Sequence, residues 1–275
     1  MQSHQQFTAR SLLFVPGNRP DRFDKALASG AQAVCIDLED AVPAAEKDMA
    51  RASTLEFLGR PRGGVFVCLR INDLRSSQGW RDLLSLKDSP PADAVMVPKV
   101  EHVEELRLAS SVCLRRERWI ALVESALGMS RVDDIAANSP DLAALMLGGA
   151  DFSADIGATF TWEPLLAARQ RIVQAAALRR LPAIDVPYLD LRNDAGLAEE
   201  THRVGQLGFS CKAAVHPSQV ATISAVLQPS EKDVARAHRV VDAMARSDGG
   251  VTVLDGEMLD EPVLRAAQRV LQRAA

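Results

Sequence analysis

The chain has 275 residues, of which 47% are apolar, so it can bury a substantial core and suits one α/β barrel as well as two small domains. The formal net charge is −4 and aromatic residues make up 4%, so a nucleic-acid partner is not expected. The 4 cysteines lack CxxC spacing, and the sequence has neither a secretory apolar segment nor an apolar run near the roughly 18 residues of a membrane span. We therefore expect a soluble, cytoplasmic protein without a membrane partner.

Short apolar runs alternate with helical patterns along the chain. The runs predict buried parallel strands, and they lie at residues 12–15, 33–36, 65–69, 94–97, 119–123, 142–147, 182–186 and 212–215. The helices between them are predicted at residues 20–27, 44–58, 103–114, 162–180 and 197–207. Eight strands that alternate with helices favour a (β/α)8 TIM barrel over an open, doubly wound sheet.

The residues after the last predicted strand indicate a C-terminal extension of the barrel. Amphipathic helices are predicted at residues 230–247 and 261–274. Between them, residues 248–250 break the first helix and residues 251–254 suit an extended segment. We predict a barrel catalytic domain over residues 1–228 and a helical extension over residues 229–275.

A polar, turn-forming stretch at residues 255–262 precedes the last helix. It contains Met258 and Leu259, which are side chains of the kind that proteins bury. Such a stretch suits a mobile lid or an arm that reaches a neighbouring subunit. An ordinary surface turn is an equal alternative.

Charged side chains gather where the predicted strands end. In a TIM barrel these ends meet at the carboxyl face, where the catalytic groups lie. The side chains at these positions are Asp37, Glu39, Asp40, Arg70, Lys99, Glu124, Asp151 and His216. An excess of acids over bases indicates a site of metal and carboxylates, and disfavours hydride transfer or a serine nucleophile.

Glu124 and Asp151 follow the fifth and sixth predicted strands. On neighbouring strands they can share one Mg²⁺, which prefers oxygen ligands at roughly 2.0–2.1 Å and keeps several waters or takes a chelating substrate. The structural alternative has equal weight from these residues alone. In that alternative Asp151 caps the following helix and Glu124 pairs with an arginine.

The remaining strand-end residues have candidate roles around such an ion. Arg70 suits bidentate binding of a substrate carboxylate. Lys99 is a candidate Schiff-base nucleophile, although the nearby Glu101 favours an ion-paired ammonium instead. His216 is either a base or a residue that hydrogen-bonds the neighbouring backbone. The acids after the second strand suit a shell that accepts protons from waters on the metal; these acids are Asp37, Glu39 and Asp40.

The strand-end residues belong to longer motifs that run in order through nearly the whole chain. The motifs are LFVPGNRPDRFDKA (13–26), IDLED (36–40), RIN (70–72), VPK (97–99), VES (123–125), GAD (149–151) and VHPSQ (215–219). Together they resemble the citrate lyase β-subunit family, which includes malyl-CoA and citramalyl-CoA lyases. The resemblance implies a (β/α)8 barrel, usually trimeric or hexameric, that uses Mg²⁺ to cleave a 3-hydroxyacyl thioester into an acyl-CoA and a 2-oxo acid.

The resemblance also implies roles for individual residues. Glu124 and Asp151 would be the metal ligands, and Arg70 would hold the oxo-acid end. The tail motif GEMLDEP (256–262) resembles the family's C-terminal lid, so Asp260 is implied as the acid/base for the acyl-CoA carbon, often in a neighbouring subunit's site. One departure is Ala150, which stands where the family often has Glu in a Gly-x-Glu-Asp motif.

Several functional alternatives remain open at this point. Arg19 and Lys25 are candidate partners for CoA phosphates, with a solvated helix start as the alternative. The chain is expected to act on citramalyl-CoA or malyl-CoA and to release pyruvate, glyoxylate or oxaloacetate. A citrate lyase β subunit that acts on citryl-acyl carrier protein is one alternative function. A non-enzymatic barrel that binds CoA or a carboxylate is another.

Overall fold

Eight parallel strands form a closed barrel in the computed structural model, which describes residues 6–113, 117–247 and 251–274. The strands are β1 (Ser11–Pro16), β2 (Ala33–Asp37), β3 (Phe66–Arg70), β4 (Ala94–Val97), β5 (Trp119–Val123), β6 (Leu142–Leu147), β7 (Ala183–Asp185) and β8 (Cys211–Ala214). Each strand pairs with the next along the chain, and β8 pairs with β1 to close the barrel. The predicted (β/α)8 barrel is confirmed.

Helices follow the strands and cover the outer face of the barrel. They are α1 (Phe23–Leu27), α2 (Lys47–Leu58), α3 (Ser77–Leu86), α4 (Val103–Val112), α5 (Ala126–Ser130), α6 (Val132–Asn138), α7 (Gly149–Asp155), α8 (Trp162–Ala177), α9 (Asp194–Leu207) and α10 (Ser218–Leu227). Short 3-10 turns at Pro20–Arg22 and Ala44–Glu46 precede α1 and α2. None of the helices in the described residues combines the length and apolar character of a transmembrane span.

Two helices differ from their predicted bounds for identifiable reasons. The helix predicted to reach Arg180 ends at Ala177, and Arg180 has a left-handed φ of 55°, which a right-handed helix does not accommodate. Helix α9 begins before its predicted start because Asn193 caps it, its side chain accepting a 2.8 Å hydrogen bond from the N–H of Gly196. Leu114, the predicted end of α4, lies outside the described residues.

Apolar side chains at alternate strand positions fill the barrel interior. Cys35, Cys68 and Cys211 belong to this interior cluster and behave as small apolar residues. All four residues of β4 and all six of β6 are buried, because the strands face the interior on one side and the helices on the other. This burial explains why the strands were recognisable as continuous apolar runs.

The strand register fixes which side chains meet at the carboxyl face. Asp37 at the end of β2 pairs in register with Arg70 at the end of β3. Val123 of β5 pairs with Leu147 of β6, so Glu124 and Gly148 leave the barrel side by side. Residues that are far apart in the sequence therefore become neighbours at this face because of the strand register.

The chain divides into two compact units, Met1–Ser224 and Ala225–Ala275. The second unit contains α11 (Glu231–Arg246), β9 (Thr252–Leu254), β10 (Glu257–Leu259) and α12 (Glu261–Ala274). Its core packs Val240 and Met244 of α11 against Leu259 and Ala267. The domain boundary after residue 228 stays a prediction.

A β-hairpin spans the predicted extended segment at residues 251–254 and part of the stretch that was predicted to be turn-forming. Strands β9 and β10 are antiparallel, and Asp255 and Gly256 connect them with φ values of 53° and 82°. Positive φ at both central residues is the requirement of a tight type I′ turn, for which Asp-Gly is a preferred sequence. Leu259 is buried, whereas Met258 is 67% exposed. The helix break predicted at residues 248–250 lies outside the described residues.

Candidate active site

Glu124 follows β5, and its carboxylate is held from two sides. Its Oε1 accepts a 2.9 Å hydrogen bond from the backbone N–H of Lys99. Its Oε2 faces Gly148, where an added Cβ would lie only 2.3 Å from that oxygen. Because the side chain is 4% exposed as well, its position is closely determined by the surrounding backbone.

Burial and other carboxylates dominate the electrostatic surroundings of Glu124. Burial and the neighbouring carboxylates of Glu39 and Asp151 raise the pKa of Glu124 to about 8, against the lowering effect of Arg70. Among the described residues Glu124 makes no ion pair within 4.0 Å, so pairing with an arginine is not its structural role. A buried carboxylate among like charges suits a site for a divalent cation.

Asp151 lies in the first turn of α7 with its side chain exposed. The N-cap of α7 is Gly148, and no side chain caps the helix, so helix capping does not explain Asp151. Its charge is one of those that raise the pKa of Glu124. The two carboxylates therefore face one region at the ends of β5 and β6.

The pair of carboxylates matches what Mg²⁺ requires from a protein. No group of three or more His, Cys, Asp and Glu side chains in the described part of the chain is arranged to hold a metal ion. Mg²⁺ does not need such a group, because it commonly takes one or two carboxylates and fills its octahedron with waters and substrate oxygens. Glu124 and Asp151 are the residues that would hold it.

Arg70 is bound through its planar fork to Asp37. Nε donates to Oδ1 at 2.7 Å, and Nη2 donates to Oδ2 at 2.6 Å. Nη1 lies 3.0 Å from Oε2 of Glu39 and 3.4 Å from Oδ2 of Asp40. Although burial alone lowers the pKa of Arg70, the hydrogen bonds and charge of Asp37 raise it overall, so Arg70 is a fixed cation. The fork that was expected to bind a substrate carboxylate is thus already engaged by Asp37.

Lys99 binds Glu39 rather than Glu101. Its Nζ lies 2.8 Å from Oε1 of Glu39. Burial lowers the pKa of Lys99, but the hydrogen bond and charge of Glu39 outweigh burial and raise it, which disfavours a neutral Schiff-base nucleophile. Glu101 instead pairs with Nη1 of Arg75 at 2.5 Å and accepts a 2.7 Å hydrogen bond from Oγ of Ser125.

Several hydrogen bonds hold the loop after β2, which follows Asp37 and carries the acids Glu39 and Asp40. Oδ1 of Asp37 accepts a 2.8 Å hydrogen bond from the N–H of Glu39, and Oδ2 accepts one of 3.1 Å from Ala41. Nζ of Lys47 donates to the carbonyl oxygens of Leu38 and Glu39 at 2.7 and 2.5 Å. The three acids predicted to surround the metal, Asp37, Glu39 and Asp40, therefore gather around Arg70.

His216 contacts its own loop. Its Nδ1 accepts a 3.2 Å hydrogen bond from the N–H of Ser218 and lies 2.7 Å from Oγ of the same residue. This is the structural alternative considered for His216 from the sequence. Nearby, Oε1 of Gln219 accepts hydrogen bonds from the N–H groups of Val215 and His216 at 3.0 and 3.2 Å, which closes the turn after β8.

The residues predicted at the edges of the site have structural partners of their own. Arg19 is exposed and forms a fork with Asp21 at 2.9 and 2.8 Å, and Lys25 is exposed on α1. Asp260 belongs to the C-terminal unit, where its Oδ1 accepts a 3.2 Å hydrogen bond from the N–H of Val263 and caps α12. Ala150 is exposed in the first turn of α7.

Sequence reasoning missed three groups that position Glu124 or the loop after β2. They are the N–H of Lys99, the Nζ of Lys47 and the space left by the absent side chain of Gly148. The Gly-Gly pair at 148–149 directly after an apolar run was an available signal, since such glycines often mark a close approach of the backbone. The contacts of the two lysines had no comparable signal.

A family description, HpcH/HpaI aldolase/citrate lyase, matches residues 10–217 of this chain. The chain belongs to that family. A second description, a C–C bond lyase of the TIM-barrel fold, matches residues 161–275. The resemblance inferred from the strand-end motifs is confirmed, and membership supports an enzyme of the lyase class.

Named relatives cover almost the full chain. The citrate lyase subunit beta of Escherichia coli is 34% identical over 290 aligned positions, which cover 100% of this chain and 96% of that protein. The L-malyl-CoA/beta-methylmalyl-CoA lyase of Cereibacter sphaeroides is 32% identical, with 96% of this chain and 94% of that protein covered.

Solved structures give the same picture. The protein CitE from Mycobacterium tuberculosis, in complex with magnesium, acetoacetate and coenzyme A, has a TM-score of 0.80 and 32% identity over 96% of this chain and 97% of that one. RipC from Yersinia pestis has a TM-score of 0.75 and 37% identity, covering 84% of this chain and 100% of that one. Magnesium thus occurs in the family, together with CoA and small carboxylic acids.

Proposed function

We propose that this chain is a Mg²⁺-dependent carbon–carbon lyase that cleaves a 3-hydroxyacyl-CoA thioester, of the citramalyl-CoA or malyl-CoA type, into an acyl-CoA and a 2-oxo acid. The observation that carries the proposal is the placement of Glu124 and Asp151 at adjacent strand ends, where burial and the charges of Glu39 and Asp151 raise the pKa of Glu124 to about 8. The names of the malyl-CoA lyase relatives and the magnesium and CoA in the CitE complex support this assignment.

Negative charge develops during the reaction, and residues of the site can stabilise it. Breaking the bond between C2 and C3 leaves an enolate on the acyl-CoA, while the hydroxyl group gives up its proton to solvent and its oxygen becomes the carbonyl oxygen of the oxo acid. When bound, Mg²⁺ supplies Lewis acidity to the hydroxyl and carboxylate oxygens of the substrate. Glu124 and Asp151 hold the ion, and the N–H of Lys99 keeps Oε1 of Glu124 in place.

Arg70 provides a permanent positive charge beside this region. Asp37 accepts hydrogen bonds from both Nε and Nη2 of Arg70. Arg70 is therefore oriented before the substrate binds and does not have to reorient during the reaction. We propose that Nη1, which lies between Glu39 and Asp40, meets the carboxylate of the oxo acid. Asp40 has a side chain that is 59% exposed, so it can move aside. Asp37 and Glu39 accept hydrogen bonds from waters around the ion.

A proton must reach the enolate carbon as the acyl-CoA forms. We assign this proton to Asp260, on a lid that closes over the site and excludes water from it. We further propose that Asp260 acts in a neighbouring subunit of a trimer or hexamer. Arg19 and Lys25, both exposed, are the proposed contacts for CoA phosphates.

A second candidate is a citrate lyase β subunit that acts on citryl-acyl carrier protein. The Escherichia coli citrate lyase subunit beta, which aligns with 100% of this chain, favours it. The two functions differ in the carrier of the thioester. Activity on free CoA thioesters by the chain alone would exclude a strict requirement for the carrier protein.

The deciding experiment measures formation of the shorter acyl thioester and of the 2-oxo acid from malyl-, citramalyl- and citryl-CoA and from citryl-acyl carrier protein, with Mg²⁺ and with excess chelator. We expect cleavage of a malyl- or citramalyl-type thioester that chelator abolishes reversibly. Glu124→Gln and Asp151→Asn should each abolish activity with the fold intact, while Glu163→Gln at an exposed position of α8 serves as the control. Full activity in excess chelator would refute the metal site.

A further inference from the structure

A third carboxylate, that of Glu39, lies beside the two proposed metal ligands Glu124 and Asp151. Lys99 contacts both Glu39 and Glu124, which places Glu39 next to the site. In the described part of the chain, however, Glu39 joins no group of three side chains that could hold a metal. Each of its oxygens is instead bound by a cation, Oε1 by Nζ of Lys99 at 2.8 Å and Oε2 by Nη1 of Arg70 at 3.0 Å.

Lys99 contacts both glutamates through different groups. Its ammonium binds Glu39, and its backbone N–H donates a 2.9 Å hydrogen bond to Oε1 of Glu124. Lys99 has a left-handed φ of 54°, a conformation that is unfavourable for a residue with a side chain and persists where the surroundings enforce it. Its carbonyl oxygen accepts a 3.1 Å hydrogen bond from Nη2 of Arg75, which secures this loop from the side of β3.

We propose that Lys99 is a positioning residue that separates the roles of the two glutamates: its ammonium keeps Glu39 out of the ligand set of the metal, while its N–H orients Glu124 as a ligand. The inference rests on the proposed function of the site. Keeping a third carboxylate away leaves coordination positions open, and a substrate that binds through its hydroxyl and carboxylate oxygens needs those positions.

The test is a calorimetric Mg²⁺ titration of the full-length protein without substrate. Lys99→Met removes the ammonium and frees Oε1 of Glu39, while Arg70 still binds Oε2, so we expect Mg²⁺ to bind about tenfold more tightly. Turnover should fall by about tenfold in the same variant, because fewer positions remain for the substrate. A merely structural role for Lys99 predicts weaker Mg²⁺ binding, which is the opposite sign.

Two control variants test whether the effect is specific to the loss of the ammonium at position 99. Lys99→Arg keeps a cation for Glu39 and should bind Mg²⁺ like the wild type. Lys87→Met, at an exposed position after α3, makes the same chemical change away from the site and should alter neither affinity nor turnover. Should Lys99→Met fail to fold, Lys99→Gly also removes the ammonium and suits the left-handed backbone.

A double variant separates this proposal from simple charge repulsion between Lys99 and the metal. Lys99→Met combined with Glu39→Gln should bind Mg²⁺ like Glu39→Gln alone, because the released carboxylate is no longer present. Tightening that persists in the Glu39→Gln background would overturn the proposal, as would unchanged or weaker binding in Lys99→Met. A wild-type protein that binds no Mg²⁺ would overturn the proposed function and this inference with it.

Discussion

Asp37 and Arg70 are paired in the register of β2 and β3 and share two hydrogen bonds of 2.7 and 2.6 Å. The side chains of both residues are largely buried, with exposures of 2% and 13%. Two parallel N–H···O contacts fix the guanidinium in its plane as well as in position. The orientation of Arg70 is therefore a property of the barrel wall, set before any substrate binds.

Arg70→Lys should impair catalysis although it keeps the positive charge. An ammonium cannot reproduce the planar fork with Asp37 and cannot at the same time reach toward Glu39. We expect a loss of about 1.5–3 kcal/mol in transition-state stabilisation, measured as kcat/KM on the thioester identified by the substrate panel. Arg171→Lys, at an exposed ion pair with Asp133, is the matched control. Unchanged kcat/KM in Arg70→Lys would place the carboxylate clamp elsewhere.

Gly148→Ala should disrupt the metal site through one methyl group. The added Cβ would lie 2.3 Å from Oε2 and 2.4 Å from Cβ of Glu124, so Glu124 must move. We expect Mg²⁺ affinity to fall by at least about tenfold, within the range for a disturbed ligand environment. Calorimetric titration measures this directly.

Gly59→Ala is the control for that change, because a Cβ there meets nothing closer than 3.4 Å. Neither glycine has a positive φ, so backbone strain does not contribute to the difference between the two variants. Equal Mg²⁺ affinity in Gly148→Ala and the wild type would mean that Oε2 of Glu124 does not bind the ion.

The barrel was predictable because its strands are buried on both faces. The observed bounds of β4, β5 and β6 match the predicted runs at residues 94–97, 119–123 and 142–147. The ends of the strands were equally predictable. An apolar run that stops at a charged residue indicates where the strand ends and which charged side chain lies at the carboxyl face. The turn at Asp255 and Gly256 lies in the stretch predicted to be turn-forming, and the Asp-Gly pair was also a signal for a hairpin, which was not predicted.

The pairing of side chains at the strand ends was not predictable in the same way. Hydrophobic runs report burial, whereas the partner of Arg70 depends on the register between two strands about 33 residues apart. The partner of Lys99 likewise depends on the left-handed backbone conformation of Lys99, which the sequence VPK does not predict. Candidate residues therefore followed from the sequence, while their mutual contacts follow only from the three-dimensional fold.

A buried charge cluster outside the site links β7, β8, α8 and α9. Oδ2 of Asp185 lies 2.7 Å from Nζ of Lys212, and Oδ1 lies 2.8 Å from Nε of Arg169. The side chains of these three residues are at most 1% exposed. Nζ of Lys212 also donates to Glu200 and to the carbonyl of Val186, both at 2.8 Å. The cluster attaches the outer helices to the barrel wall.

Asp185→Asn should destabilise the fold by about 3–5 kcal/mol, because it leaves Lys212 and Arg169 buried without their main counter-charge. Urea unfolding at pH 7 measures the loss. Asp133→Asn, in an ion pair with half-exposed partners, should cost less than about 1 kcal/mol. Equal losses in the two variants would contradict a stabilising role of the buried cluster.

The same cluster predicts how this stability difference varies with pH. Burial alone raises the pKa of Asp185, but the charges of Lys212 and Arg169 outweigh it and lower the pKa below its unfolded value. The stabilisation is therefore fully present above the unfolded value of about 3.9 and is lost as the pH falls below it. The difference between wild type and Asp185→Asn should stay constant from about pH 5 to pH 8 and shrink in more acidic solution. A difference that grows on acidification would contradict the lowered pKa.

Asp260 can be tested without disturbing the helix that it caps. Its Oδ1 accepts the hydrogen bond from Val263 at the start of α12, and Asn is as good an N-cap as Asp. Asp260→Asn should therefore unfold at the wild-type temperature while losing turnover, because the amide cannot deliver a proton. Binding of Mg²⁺ and of the oxo acid should be retained, since the proposed lid contacts neither. Full turnover in this variant would remove Asp260 from the mechanism.

Mixing two inactive variants decides whether Asp260 acts in a neighbouring subunit. Asp260→Asn subunits keep an intact metal site, and Glu124→Gln subunits keep an intact lid motif, so random exchange in a ring should restore about a quarter of wild-type activity. The measurement is turnover before and after exchange, with differently tagged subunits co-purified to confirm that exchange occurred. Mixtures that exchange without recovering activity would show that Asp260 serves its own barrel or none. Recovery to the expected level would show that each metal site is completed by the C-terminal extension of an adjacent subunit.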